Sequence, residues 1–167
     1  MTTSPEPGLA VLRPTWRHLA EPVHCLALGF GSGLVPFAPG TFGSVVGLAF
    51  ALALQPLGVA WNLAAVVIAV VAGIWICGES ARRLGVHDHP AIVWDEVAGM
   101  MIAMLAAPDA WWGALLAFVL FRLFDIAKPW PIREIDHGMG GGAGIMLDDV
   151  LAGLFAALGL TIVGYVT

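Results

Sequence analysis

Charged residues are scarce in this chain of 167 residues. Only 7 Lys+Arg and 12 Asp+Glu are present, which is 11% of the sequence. A typical soluble domain carries about 25% charged residues. Hydrophobic residues make up 59% of the chain and the mean hydropathy is +0.89, so polar side chains are too few to cover a soluble globule. The composition therefore excludes a soluble enzyme and a disordered chain, and it predicts an integral membrane protein.

A basic excess and a cysteine framework are missing as well. The formal net charge is −5, whereas a nucleic-acid-binding domain needs a surplus of basic residues. We therefore expect no nucleic-acid partner.

The two cysteines, Cys25 and Cys77, are isolated, with no CxxC pattern and no metal-ligand spacing. We expect both to be small buried hydrophobic residues.

Long apolar runs are abundant. A stretch of 57 residues, 22–78, contains no Asp, Glu, Lys or Arg. A helix that crosses a bilayer needs about 20 apolar residues. Five segments qualify as candidate spans: 41–59, 61–77, 91–107, 110–124 and 147–166. Several are short for a full span, which leaves tilt or partial insertion open.

These segments define the predicted fold class. We expect an all-α, polytopic membrane helical bundle with about five membrane-embedded helices. A polar amino-terminal tail over residues 1–24 precedes a single membrane-embedded domain over residues 25–167. Glycine-rich loops, including a polar loop over residues 128–144, are expected at the cytoplasmic face.

The charges indicate the orientation of the bundle. With five spans, all seven basic residues fall on one side of the membrane, which the positive-inside rule makes cytoplasmic. Eleven of the twelve carboxylates fall on the same side, and Asp109 is the exception. Acidic residues carry little orientation signal, so the rule does not explain their clustering. We infer a polar site at the cytoplasmic boundary.

Asp95 and Glu96 lie inside an otherwise apolar candidate span. Ionisable groups within a membrane segment are costly and indicate a functional site. Neighbouring carboxylates repel, so an ionised pair calls for a cation or a basic partner. Hard divalent ions such as Mg²⁺ prefer oxygen ligands of this kind. The alternative is an interfacial pair that extends toward water.

A second acidic pair, Asp148 and Asp149, is predicted to open the last span. Acids in a first helical turn are favoured by the macrodipole, which is a sufficient explanation of this pair alone. Each acidic pair is followed by a glycine, Gly99 or Gly153, that permits close helix approach. A shared metal site explains both pairs together and is the preferred interpretation.

Arg122, Asp125 and Lys128 follow one another at i, i+3 and i+6 at the end of the fourth span. This spacing allows Asp125 to pair with either neighbour in an ordinary ion-pair network. The functional alternative assigns Arg122 and Lys128 to an anionic phosphate, with Asp125 as ligand, orienting group or nucleophile. Arg133 could add to the phosphate-binding charge.

The stretch over residues 29–44 is rich in glycine and proline. It is not a Walker A loop, because no lysine follows Gly40. Thr41 or Ser44 could cap a helix amino end, where backbone N–H groups attract anions. A loop that lines the site and a purely structural turn are equally compatible with this pattern.

His87, Asp88 and His89 form a further polar segment. Two histidines at i, i+2 do not share a helix face, and no HExxH pattern occurs. A proton-transfer role for either histidine stays open. A solvated loop in which Asp88 caps a helix is the preferred interpretation.

The assembled motifs resemble those of a known family. The motifs are GFGSGLVPFAPGTFGS (29–44), HDHPAIVWDEVAGM (87–100), FRLFDIAKPWPIREID (121–136) and GGAGIMLDDVLAG (141–153). In order and spacing they resemble phosphatidylglycerophosphatase A, a bacterial membrane lipid phosphatase. The resemblance covers residues 29–153 and does not extend to the amino-terminal tail.

The resemblance implies hydrolysis of phosphatidylglycerophosphate to phosphatidylglycerol and inorganic phosphate in phospholipid biosynthesis. It also implies Mg²⁺ as cofactor and an active site on the cytoplasmic face of the bacterial inner membrane. No oligomeric state follows from it. The metal ligands would be Asp95, Glu96, Asp148 and Asp149. The catalytic residues would be Asp95, Glu96, Asp125 and Asp149. The phosphate-binding residues would be Thr41, Ser44, Arg122, Lys128 and Arg133.

The main alternative is a proton- or cation-coupled transport protein whose intramembrane acids form an ion path. Its acids should be distributed through the depth of the membrane, whereas here they crowd at one face. Phosphatidyl transfer from a CDP-activated lipid would require spaced acidic motifs that are absent. A non-catalytic assembly subunit would leave the paired acids unexplained.

Overall fold

The described residues form a bundle of helices. The computed structural model describes residues 13–130, 132 and 140–166. The α-helices are α1 Pro22–Ala27, α2 Pro39–Leu54, α3 Val59–Leu84, α4 Trp94–Met104, α5 Trp111–Ala127 and α6 Gly141–Val166. The 3₁₀ segments are Trp16–Ala20, Gly29–Leu34 and Gln55–Leu57. No strand occurs in the described residues, so the all-α prediction is confirmed for them.

Helix α4 is the centre of the bundle. It packs against α2, α3, α5 and α6. Val97, Ala98, Met100 and Ala103 are fully buried on it. Since neighbours surround α4 on all sides, it shows no polar face, and its first-turn acids, Asp95 and Glu96, are carried into the interior.

The helices differ in whether they can cross a bilayer. Three stretches are long and apolar enough: Pro39–Leu57, Val59–Leu84 and Gly141–Tyr165. Helix α5 has 17 residues and α4 has 11. At 1.5 Å per residue α4 is about 16 Å long, against a hydrocarbon core of about 30 Å. Length and composition therefore support three spans, and the count of about five membrane-embedded helices stays a prediction.

Helix α3 is longer than the predicted span, which ended at Cys77. It continues to Leu84 through a polar last turn. Glu79 accepts hydrogen bonds from Arg82 and Arg83, which lie three and four residues further on. Gly85 then ends the helix in the left-handed conformation and donates its N–H to the helix carbonyls. The polar composition of residues 79–84 is typical of a loop, but ion pairs within the last turn stabilise the helix there.

Helix α6 begins earlier than predicted, so the expected loop over residues 128–144 is wrong at its end. The helix starts at Gly141. A Cβ on Gly142 would lie 1.8 Å from the Ile74 carbonyl oxygen, so glycine here allows α6 to pack on α3. Asp148 and Asp149 consequently lie about two turns inside the helix. The macrodipole explanation for this acidic pair does not apply, because it acts only within the first turn.

Helices α4 and α6 approach each other closely through two glycines. A Cβ on Gly99 would lie 2.6 Å from the Asp149 carbonyl oxygen, and one on Gly153 would lie 2.4 Å from the Gly99 carbonyl oxygen. The predicted role of this pair in close helix approach is confirmed. The contact holds the Asp149 segment beside the first turns of α4.

The amino-terminal segment packs onto the bundle. The expected boundary at residue 24 falls inside α1. His24 is buried, and its Nδ1 lies 2.9 Å from the Ser80 Oγ on α3. The Ala27 carbonyl accepts a hydrogen bond from the Val93 N–H, just before α4. Helix α1 thus ties the end of α3 to the start of α4. Cys77 is buried as predicted, and Cys25 is partly buried.

The α4–α6 contact makes a stability prediction. Replacing Gly153 with Ala should lower the free energy of unfolding in detergent by about 1–3 kcal/mol, because the added Cβ meets backbone that cannot yield easily. Gly164→Ala on the same helix is the control, since its Cβ meets nothing within 4 Å. Equal stability of the two variants in chemical unfolding would contradict the close contact.

Candidate active site

Three carboxylates from two helices converge inside the bundle. Asp95 and Glu96 come from the first turn of α4, and Asp149 comes from α6. One oxygen from each of the three lies within 4.8 Å of the others. Asp95 is 8% exposed and Asp149 is 3% exposed. We call these three residues the acid cluster.

The acid cluster has unused hydrogen-bonding capacity. Within the described residues, the buried Glu96 Oε2 and Asp149 Oδ1 have no hydrogen-bond partner. Buried polar atoms are nearly always hydrogen-bonded or engaged in another strong interaction. Three carboxylates that face one another, two of them with a buried oxygen that lacks a donor, have the chemistry of a hard divalent cation site.

A guanidinium group lies beside the acid cluster. The Arg122 Nη1 on α5 donates to the Asp125 Oδ2 one turn further along the same helix. The same Nη1 lies 3.5 Å from the Ser44 Oγ on α2, and the buried Arg122 Nε has no partner among the described residues. Asp125 therefore orients Arg122 and leaves part of the guanidinium available to an anion.

Lys128 and Asp148 form a second ion pair. The Lys128 Nζ lies 2.6 Å from the Asp148 Oδ2. The two neighbouring acids therefore differ in their surroundings. Asp148 forms an ion pair with a lysine, whereas Asp149 lies close to the carboxylates of Asp95 and Glu96. Of the four residues that the sequence suggested as metal ligands, the structure brings Asp95, Glu96 and Asp149 together.

The start of α2 covers the acid cluster. A Cβ on Gly40 would lie 2.2 Å from the Glu96 Oε1 and 3.1 Å from the Arg122 Nη1. Ala38, in the left-handed conformation, is the N-cap, and no side chain caps the helix. The suggested capping by Thr41 or Ser44 is therefore wrong, since both lie inside the first turns.

The remaining suggested phosphate-binding residues differ in placement. Ser44 is buried, donates to the Gly40 carbonyl oxygen at 2.8 Å, and contacts Arg122. Thr41 is partly buried and follows Gly40 in the first turn of α2. Arg133 lies outside the described residues.

The acid cluster, Arg122 and Lys128 share one cavity of about 280 Å³. Its lining includes six carboxylates and two bases: Asp88, Asp95, Glu96, Asp125, Asp148, Asp149, Arg122 and Lys128. Ala38 and Ile126 supply apolar lining. Because acidic residues outnumber basic ones, the electrostatic potential of the cavity attracts cations, and a bound cation would be needed to make it favourable for an anion.

The cavity is recessed from the end of the bundle. Asp149 lies eight residues, or about 12 Å, along α6 from Gly141. Trp94, next to Asp95, donates from its Nε1 to the Ala69 carbonyl oxygen at 3.0 Å, well before the end of α3. The acid cluster thus lies between longer helices, beneath the charged end of α3.

Several lining residues, among them Gly40, Asp88 and His89, were not assigned to the site from sequence. Gly40 was seen only as part of a glycine-rich stretch, although Pro39-Gly40 at a helix start was a usable signal for close approach. His89 was assigned to a solvated loop, yet it is half-buried and lines the cavity. Asp88 caps no helix, since the N-cap of α4 is Val93.

Fold and site together define a helical membrane protein with a recessed, acid-rich cavity that also presents arginine and lysine. The sequence profile of the family described as phosphatidylglycerophosphatase A matches residues 25–164. The chain belongs to this family, a family of phosphoric monoester hydrolases. The resemblance of its motifs is thereby confirmed.

Curated relatives cover most of the chain. Phosphatidylglycerophosphatase A of Escherichia coli strain K12 is 43% identical over 150 residues, covering 88% of this chain and 86% of its own length. Its namesake in Haemophilus influenzae is 46% identical over 142 residues, covering 84% and 87%. A Bacteroides thetaiotaomicron protein with the provisional name phosphatidylinositol-3-phosphatase is 39% identical over 149 residues, covering 84% and 92%. No solved structure matches this chain.

The contact of Gly40 with Glu96 makes a prediction about the site. Gly40→Ala should lower the rate of phosphate release from a lipid phosphate monoester by about 10- to 100-fold, because the Cβ displaces Glu96 by more than catalytic geometry tolerates. Thermal unfolding of the purified variant should show that the fold is retained. A Gly40→Ala enzyme with unchanged rate would show that α2 does not shape the site.

Proposed function

We propose that this chain hydrolyses phosphatidylglycerophosphate to phosphatidylglycerol and inorganic phosphate, with Mg²⁺, at the cytoplasmic face of the bacterial inner membrane. The observation that carries the proposal is the acid cluster in one cavity with Arg122 and Lys128. Carboxylates suited to a cation beside bases suited to an anion are what phosphate ester hydrolysis requires. Membership of the phosphatase family supports the same reaction.

Asp95, Glu96 and Asp149 would hold the Mg²⁺. Their oxygens lie within 4.8 Å of one another, and two of these residues carry buried oxygens without donors. When bound, the ion supplies positive charge that offsets the carboxylates and stabilises the phosphoryl oxygens in the transition state. Asp148 supports the site by holding Lys128.

Arg122 and Lys128 would bind the phosphoryl group. Asp125 holds Arg122, which fixes the guanidinium plane, so that the remaining N–H groups can donate to phosphate oxygens. Lys128 is held by Asp148 at the same cavity. Ser44 positions Arg122 from α2. We retain Arg133 as a further contributor of positive charge.

The chemical step transfers the phosphoryl group to water. The water oxygen attacks phosphorus as the bond between phosphorus and the glycerol oxygen breaks. Glu96, whose Oε2 has no donor among the described residues, would accept the water proton. The leaving glycerol oxygen takes up the proton that Glu96 accepted from water, directly or through solvent, and departs as the lipid alcohol while inorganic phosphate remains. Asp125 acts as an orienting group, since Arg122 already occupies its Oδ2.

A lipid is favoured over a soluble phosphate ester because exposed apolar residues contribute to the cavity lining. Ile126, on α5, lines the cavity and is 72% exposed. Ala38, at the start of α2, also lines the cavity and is exposed. A substrate whose acyl chains stay in the bilayer could therefore present its phosphate between α2 and α5.

A panel of lipid phosphate monoesters tests the proposed reaction. We expect the purified protein to release phosphate from phosphatidylglycerophosphate faster than from phosphatidylinositol phosphate or phosphatidic acid. A chelator should abolish release, and added Mg²⁺ should restore it. Purified protein that moved protons or cations across liposomes without releasing phosphate would instead support the transport alternative.

The acid cluster makes a mutational prediction. Glu96→Gln and Asp149→Asn should each lower phosphate release by at least about 100-fold at saturating Mg²⁺, since each removes a charge that no other group replaces. Asp109→Asn is the matched control, because Asp109 lies in the connection between α4 and α5 and does not line the cavity. Its Oδ1 accepts a hydrogen bond from the Gln55 Nε2 at 2.6 Å. Near-normal rates in both cluster variants would refute the assignment.

A further inference from the structure

His89 occupies a defined position in the connection between α3 and α4. Its carbonyl accepts a hydrogen bond from the Ile92 N–H at 2.8 Å, which closes a turn. A Cβ on Gly33 would lie 2.0 Å from the Ala91 carbonyl oxygen, so this turn packs directly on the segment before α2. The imidazole is therefore attached to fixed backbone at the wall of the cavity.

The turn also fixes the tautomer of the imidazole. The Ala91 N–H donates to the His89 Nδ1 at 3.1 Å. Since Nδ1 acts as an acceptor, the ring proton of the neutral imidazole is on Nε2. Among the described residues, no group accepts a hydrogen bond from Nε2, so this donor is available to a bound molecule.

A neutral imidazole can donate a hydrogen bond to an anion without adding a positive charge near the acid cluster. Burial lowers the pKa of His89 below its ordinary value of about 6.5, against an opposing effect of the Asp88 carboxylate, so the ring is neutral at pH 7. The two bases of the cavity, Arg122 and Lys128, are already paired with carboxylates. A neutral donor in the same cavity would add to the N–H groups of Arg122 that remain available to a phosphate group.

We propose that the His89 Nε2–H donates a hydrogen bond to a phosphoryl oxygen of the phosphate monoester, as a substrate-binding residue that the family assignment does not name. The proposal rests on the proposed function, because it takes a phosphate group as the occupant of the cavity. Its basis is the position of His89 in the cavity lining together with the Ala91 hydrogen bond that directs its proton to Nε2.

Two substitutions separate this role from a purely structural one. His89→Asn retains an acceptor near the Nδ1 position and so keeps the turn with Ala91, but it has no group at the Nε2 position. His89→Gln gives up that acceptor and carries an amide N–H donor that reaches further, near the Nε2 position. The first variant preserves the turn, and the second preserves the donor.

Inorganic phosphate is the probe, measured as a competitive inhibitor of lipid monoester hydrolysis in the Mg²⁺-loaded full-length enzyme. We expect His89→Asn to raise the inhibition constant for phosphate about 10-fold and to lower kcat/KM about 10- to 100-fold, consistent with one lost hydrogen bond to a charged group. His89→Gln should recover a substantial part of both. Thermal unfolding should be unchanged in His89→Asn.

The controls are His87→Asn and His87→Gln, because His87 is exposed on the same connection and does not line the cavity. Both should behave as the unaltered enzyme. The donor role would be overturned if His89→Asn kept the wild-type inhibition constant for phosphate and the wild-type kcat/KM. It would also be overturned if the Asn and Gln variants lost kcat/KM and phosphate affinity equally. If the unaltered enzyme released no phosphate from any lipid monoester, the proposed function itself would fail, which is a distinguishable result.

Discussion

Three carboxylates held together in an apolar bundle are the constraint on which the rest of this structure depends. Like charges within 4.8 Å of one another repel, and surrounding hydrocarbon cannot stabilise them. The protein surrounds them with the charges that such a cluster needs. Arg122 lies beside it, Lys128 holds the neighbouring Asp148, and the facing carboxylate oxygens leave a site suited to a cation. Under the proposed function, the same charges would also bind the phosphate group.

Helix packing delivers these charges to one place. Gly99 and Gly153 let α4 and α6 approach until backbone meets backbone, which sets the separation of Asp149 from Asp95 and Glu96. Gly40 does the same for α2, whose first turn lies against Glu96 and Arg122. Because α3 and α6 extend beyond the start of α4, the site is recessed within the bundle. The proposed lipid phosphate ester would enter such a site from the side, with its acyl chains in the bilayer.

Much of this arrangement was predictable from the sequence. Charge scarcity indicated the membrane, and the two acidic pairs with their following glycines indicated α4, α6 and their close contact. Boundaries were less predictable, because polar residues at the end of α3 and glycines at the start of α6 are typical of loops when read alone. Their helical state depends on the Glu79 ion pairs and on the contact of Gly142 with Ile74, which are visible only in three dimensions. The division of labour between Asp148 and Asp149 is likewise set by which neighbour each meets.

Direct titration with Mn²⁺, followed by electron paramagnetic resonance, is the sharpest test of the acid cluster as a cation site. Mn²⁺ accepts the same carboxylate ligands as Mg²⁺ and can be observed without turnover. We predict that the purified protein binds Mn²⁺ and that Mg²⁺ displaces it. Glu96→Gln and Asp149→Asn should bind Mn²⁺ at least about 10-fold more weakly, as expected when one charged ligand is lost, while Asp109→Asn should bind it normally. Unchanged Mn²⁺ affinity in both cluster variants would contradict the central role assigned to these carboxylates.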